Sequence, residues 1–227
     1  MELIQLTERV WYYPFEKKRD RPILGYIRGD HWSVAVDAGH SEAHTREFYD
    51  ALREAGLPLP SVTVLTHWHW DHTFGMHAVN GLCIANERTV AYLEKIRERI
   101  LSGGREGFLS IDRCIRHEYA DDRPIIVTLP DIVFSDTLTL EAGNCPVRLT
   151  VSVAPHTDDA TLVYVPTEKV LFLGDAASGV FPTWEKNPAL CAALADTIAP
   201  LNVDICLESH HTPQSKQEII ANLRETT

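Results

Sequence analysis

Four short apolar runs, each broken off by ionisable residues, restrict the fold of this chain more than any other feature. Val62–Leu65 runs into Thr66-His67-Trp68-His69-Trp70-Asp71-His72, Leu149–Val153 into Ala154-Pro155-His156-Thr157-Asp158-Asp159, Val170–Leu173 into Gly174-Asp175, and Val203–Leu207 into Glu208-Ser209-His210-His211. Runs this short, bounded by turn-forming residues, read as buried strands. A strand is a rigid stalk, and residues just past its end are held in place while facing a cleft. Layered α/β folds place their chemistry there.

The remaining signals alternate strands with capped helices. Ile23–Ile27 and Ser33–Val36 are β-rich runs separated by a turn at Arg28-Gly29-Asp30-His31. Ser41 can cap a helix with Phe48, Leu52 and Ala55 on one face, stopped by Gly56. Gly81–Ile84 is another short strand. Asn86 can cap a long helix carrying Thr89, Leu93, Ile96 and Ile100, with an expected end at Gly103-Gly104. Residues 105–124 read as an irregular insertion over one edge of the core. Strands are expected again at Ile125–Val127, Ile132–Phe134, Leu138–Leu140, Val147–Val153, Thr161–Val165 and Val170–Leu173. Asn187-Pro188 opens a helix to about Ala199, and Ser215 with Glu218 forms a capping box opening a last helix through Leu223. No linker separates domains, so residues 1–227 are expected to form a single catalytic domain.

Charge and thiols narrow the class. Against 21 Lys+Arg stand 32 Asp+Glu, a formal charge of −11. That balance disfavours a nucleic-acid partner, whose affinity comes from cations on phosphate, and disfavours docking on anionic lipid. No apolar run reaches the 18 or so residues of a membrane span, and the N-terminus carries neither the basic nor the apolar region of a signal peptide. The 5 cysteines have no CxxC spacing and read as buried free thiols in a reducing, cytoplasmic setting. The expected partner is a small-molecule substrate; the oligomeric state is not legible.

The densest chemistry is His67-x-His69-x-Asp71-His72. Alternation along an extended segment turns residues 67, 69 and 71 to one side, so two histidines can share one cation. The turn into the next helix swings Asp71 and His72 toward a second. Imidazole nitrogen and carboxylate oxygen suit Zn²⁺ and also iron, manganese or cobalt. Burying so many polar rings without partners would cost several kcal/mol. The motif leaves coordination positions unfilled, which gives weight to His156, Asp175 and the His210-His211 pair.

Thr66-His-x-His-x-Asp-His72 resembles the signature of the metallo-β-lactamase-fold hydrolases. His156 in His-Thr-Asp-Asp, Asp175 in Phe-Leu-Gly-Asp, a strand-end histidine and Val36-Asp37-Ala-Gly39 follow in that family's order, over roughly residues 20–225. The resemblance implies an α/β chain folded as a four-layer αββα sandwich with two Zn²⁺, or iron or manganese in their place. It implies His67, His69 and His156 at the first metal, Asp71, His72 and His210 at the second, and Asp175 bridging. The strand end favours His210 as the last ligand; the following proline favours His211. Asp37 would either orient a metal ligand by hydrogen bonding or merely cap its strand.

The implied reaction is attack by a metal-bridging hydroxide on a small ester, thioester, lactone or lactam, with Asp71 orienting the hydroxide and passing a proton to the leaving group. The ligand set is similar to that of glyoxalase II-like enzymes and lactonases. Iron-dependent oxidation of the sulfur dioxygenase kind, zinc β-lactamase activity and a silent binding domain stand as alternatives. Trp68 and Trp70 are expected to pack beneath the site. Phe181 and Trp184 either wall an apolar pocket, together with residues 105–124, or anchor their own loop.

Overall fold

The computed structural model describes residues 1–225. Two sheets pack face to face. The first is seven-stranded, in chain order β1 (Ile4–Gln5), β2 (Val10–Tyr13), β3 (Leu24–Arg28), β4 (Ser33–Val36), β5 (Val62–Val64), β6 (Leu82–Asn86) and β7 (Ile132–Phe134). Its first four strands are antiparallel neighbours, and β4 through β7 run parallel. The second sheet has β8 (Thr137–Glu141), β9 (Pro146–Ser152), β10 (Ala160–Val165), β11 (Val170–Gly174), β12 (Ile205–Glu208) and β13 (Gln214–Ser215), in the spatial order 13-12-11-10-9-8.

Period-two alternation sorts the side chains between layers. Val34 and Val36 point into the inter-sheet core with Val64, Ile84, Val163, Val165, Phe172 and Leu207, while Ala35 between them meets helix α1 (Glu42–Glu54) on the outer face. A one-residue slip would turn this apolar set away from the core, and each fully buried Val, Leu or Phe stabilises by roughly 1.5–3 kcal/mol. The register is therefore fixed. Helices α3 (Glu87–Leu109) and α4 (Arg113–Glu118) cover the first sheet beside α1. Helices α5 (Pro188–Ile198) and α6 (Lys216–Arg224) cover the second. The result is the expected αββα sandwich, and Ser41, Asn86, Asn187 and Ser215 cap their helices as the sequence reading has them.

Two expectations need correction. The first helix does break at Gly103-Gly104, as expected, but the stretch from 105 is not simply irregular: a further helical segment, counted within α3, runs to Leu109, and α4 follows, capped by Asp112. Gly104 takes a left-handed φ of +70° that breaks the helix geometry. Helix resumes because Phe108, Leu109, Ile115 and Tyr119 bury together against the first sheet. Ile125–Val127 belongs to no strand; its apolar side chains are half-buried against that same cluster. The cysteines are all free thiols, Cys114 half-buried and the others buried. Among the described residues no helix is long and apolar enough to cross a membrane.

Register also places the site. Val36 of β4 lies beside Val64 of β5, so Asp37 and Thr66 emerge side by side. Gly174 of β11 lies beside Glu208 of β12, which sets Asp175 next to the Ser209-His210 segment.

Candidate metal centre

Residues 66–73 leave β5, pass through an extended stretch and wind into α2 (Trp70–Thr73). Thr161 of β10 donates its N–H to the Thr66 carbonyl at 2.7 Å, tying the segment to the opposite sheet. Position 174 requires glycine: φ is +57°, and a Cβ there would sit 2.6 Å from Thr66 Oγ1. Asp175 is thereby pressed against the first motif.

The structure brings the seven candidates into two clusters, His67, His69 and His156 in one, and Asp71, His72, Asp175 and His210 in the other. Within each, one nitrogen or oxygen per residue lies within 4.8 Å of all the others. Six of these side chains are buried and His210 is half-buried. Asp175 Oδ2 stands between the clusters, 3.7 Å from His156 Nε2, 3.6 Å from His72 Nε2 and 3.5 Å from His210 Nε2. His210 Nε2 is also 3.1 Å from Asp71 Oδ2, whereas His211 is exposed.

Partners on the outer ring nitrogens set the tautomers. Asp37 accepts from Thr66 N at 2.7 Å and from Thr66 Oγ1 at 2.9 Å, and its Oδ2 lies 2.8 Å from His72 Nδ1. Asp37 thus shapes its turn and orients His72 at once. A carboxylate only accepts, so Nδ1 carries a proton and Nε2 is the nitrogen turned to the site. His156 is held likewise, its Nδ1 2.6 Å from the Gly179 carbonyl. His156 Nε2 then meets His69 Nδ1 at 2.9 Å.

His72 Nε2 has Asp71 Oδ2 within ion-pair range at 3.2 Å, yet buried ring nitrogens in this centre go without hydrogen bonds. His67 Nε2 and His72 Nε2 make no hydrogen bond. An unpaired buried polar group costs about 1–3 kcal/mol. Converging imidazole nitrogens with a carboxylate between them fit a borderline divalent cation on each side.

Electrostatics show the same tension. Burial pushes His67 far below its usual range, and burial together with His156 takes His69 down to about 3. Burial also disfavours charge on His72, yet Asp71, Asp37 and Asp175 outweigh it and hold this imidazole well above its usual value. Conversely, burial opposes ionisation of Asp175, and His210 and His72 overcome it. Asp20, on the loop between β2 and β3, is raised to about 6 by burial and by Asp71.

A cleft of about 240 Å³ opens over both clusters, lined by Asp20, Trp70, Phe181 and Trp184 among others. Trp70 packs on Phe108 and Phe181 with ring centroids 5.9 and 5.3 Å apart, so residues beyond 105 do back this wall. Trp68 stacks on Tyr92 instead. Trp184 lies parallel to His156 at 6.3 Å and is 57% exposed, standing at the cleft mouth. The sequence reading missed Asp20 and the Gly179 carbonyl. Asp20 sits in the charged run Lys17-Lys18-Arg19-Asp20-Arg21, which carries no strand or motif signal, and a carbonyl has no signature at all.

The sandwich and its paired clusters define a candidate metal-binding αββα protein. The chain belongs to the Metallo-beta-lactamase superfamily, whose family model matches residues 25–215. No curated protein matches the chain in sequence. Among solved structures, a metallo-beta-lactamase from Pontibacter korlensis is 18% identical, with a TM-score of 0.68 over 99% of this chain and 97% of that one. The DIM-1 metallo-beta-lactamase is 15% identical, with a TM-score of 0.70 over 100% and 97%. The sec-alkylsulfatase Pisa1 from Pseudomonas sp. is 15% identical, with a TM-score of 0.71 over 99% of this chain but 40% of its own length. Likenesses at this identity speak for the fold.

Proposed function

We propose that this protein is a dinuclear metal-dependent hydrolase of a small ester, thioester, lactone or lactam. The observation that carries the reading is Asp175 Oδ2, placed 3.5–3.7 Å from histidine nitrogens of both clusters, as a carboxylate serving two cations would be. His67, His69 and His156 would hold one cation, Asp71, His72 and His210 the other, with zinc the best match to this donor set. Such a pair supplies Lewis acidity at the substrate oxygen and a water acidic enough to attack near neutral pH.

The chain's own groups do the rest. Asp71 orients the attacking water and carries its proton to the leaving group. Asp37 keeps His72 Nε2 aimed inward. Trp70, Phe181 and Trp184 exclude water along one side and offer flat faces to an apolar substrate group. The complete donor set of the second cluster, Asp71, His72, Asp175 and His210, favours hydrolysis over iron-dependent oxidation at a single metal.

Purified without chelator, the protein should hold close to two zinc ions per chain and hydrolyse members of a thioester, lactone and aryl-ester panel. Chelation should abolish activity and zinc should restore it. A folded protein that takes up no zinc, or a metal-loaded one inert across the panel, overturns the proposal.

Trp184→Ala should raise KM for aryl substrates about tenfold, the loss of roughly 1.4 kcal/mol expected of one aromatic contact. Its kcat should hold, because Trp184 touches no reacting atom. Steady-state kinetics on aryl and methyl esters of one acid separate the two effects.

A further inference from the structure

Site histidines need their outer nitrogens held. His67 Nδ1 lies 3.2 Å from Thr66 Oγ1, His72 Nδ1 2.8 Å from Asp37, and His156 Nδ1 2.6 Å from the Gly179 carbonyl. His210 directs Nε2 into the second cluster, and its Nδ1 faces Asp20 Oδ1 at 3.5 Å.

The surrounding chain is built to put Asp20 there. Its backbone is left-handed, with φ +52°, a conformation costing an L-residue roughly 1–2 kcal/mol. Arg21 beside it is fully buried, with Nε and Nη2 at 2.7 and 2.9 Å from Glu118 and Nη1 at 2.9 Å from Glu47. Paired backbone hydrogen bonds between Glu16 and Arg21, 2.8 and 3.0 Å long, close the loop at its base. The Asp20 carboxylate lines the same cleft as Asp71 and Asp175, where like charges oppose its presence. Strain, a buried anchor and charge repulsion are all accepted in order to face one imidazole.

We infer that Asp20 is the positioning residue of His210: its carboxylate accepts from Nδ1–H, fixes the tautomer and turns Nε2 onto the second cation. Asp20 does for the last histidine what Asp37 does for His72. The inference rests on reading the second cluster as a cation site. Asp20 touches neither substrate nor metal in this role, so its loss acts through His210.

The test is competitive chelator titration of zinc on the full chain, comparing wild type, Asp20→Gly and Asp20→Asn. Glycine accepts a φ of +52° without strain, so a loss there is not a backbone effect. Asp20→Gly should weaken the second zinc about 10–100-fold, the usual effect of removing such a support, and leave the first unchanged. Asp20→Asn, whose amide oxygen still accepts, should recover most of that affinity. In zinc-loaded protein the His210 Nδ1–H proton resonance should be seen in wild type and lost to solvent exchange in Asp20→Gly. An unchanged second-zinc affinity in Asp20→Gly, equal weakening of both zinc ions, or no recovery by asparagine overturns the inference while the hydrolase reading stands. A wild type that binds only one cation overturns the two-cation reading, and the inference falls with it.

Discussion

His210→Ala is expected to strip the second cation and lower kcat by more than about 100-fold. Losing an outer-sphere support alone costs 10–100-fold in affinity, and removing a ligand costs more. His210 is the one half-buried member of its cluster, at 3.1 Å from Asp71 and 3.5 Å from Asp175. Removing it leaves the second cation two carboxylates and His72, open to solvent on that side. His211→Ala should keep two zinc ions and change activity only slightly. His211 is exposed and stands on the rim that the cleft shares with a larger hollow holding Lys186 and Glu208. Metal analysis and kinetics of the two variants, side by side, decide the matter. The reverse pattern would reassign the ligand to His211.

Glu118→Ala should destabilise the fold by about 3 kcal/mol, at the low end of the roughly 3–5 kcal/mol for stranding a buried charge. Both Arg21 and Glu118 side chains are fully buried, and Glu47, 42% exposed, meets only part of the abandoned charge. For a chain of this size that is a fall in Tm of roughly 6–12 °C. Arg21→Met with Glu118→Leu together should cost much less, because no charge is left without a partner. Burial opposes ionisation of Glu118, but Arg21 and His40 hold its carboxyl below the ordinary 4.5. The native state therefore binds fewer protons than the unfolded chain as pH falls through that range. The contribution is whole above about pH 4.5 and drains away as pH falls through the depressed native value. Glu118→Ala should flatten that acid limb in Tm-against-pH scans. A variant with unaltered Tm and acid limb would show the pair to be neutral in the fold.

Local physics was legible in the sequence. Ser41, Asn86, Asn187 and Ser215 cap helices because a side-chain oxygen meets backbone N–H groups two or three residues on. The strand ends bearing His67, His156, Asp175 and His210 were visible because apolar runs of strand length break abruptly into polar residues. The family's motif, matched residue by residue, supplied the sandwich itself.

What lay beyond the sequence depends on partners distant along the chain. Asn86 was readable as a cap, but helix beyond Gly104 was not, since it persists only because Phe108 and Ile115 find a shared core. Ile125–Val127 has the composition of a strand and no strand beside it to pair with. Neither neighbour of the His210-His211 pair says which ring turns inward. The parallel pairing of β11 with β12 decides it, by setting Gly174 beside Glu208 and Asp175 against His210. Asp20 lies 190 positions from the histidine it faces, and only the folding of the β2–β3 loop, locked by a buried Arg21, brings the two together. Caps and periodicity act within a turn or two of chain and leave a pattern; register and burial act across the whole molecule and leave none.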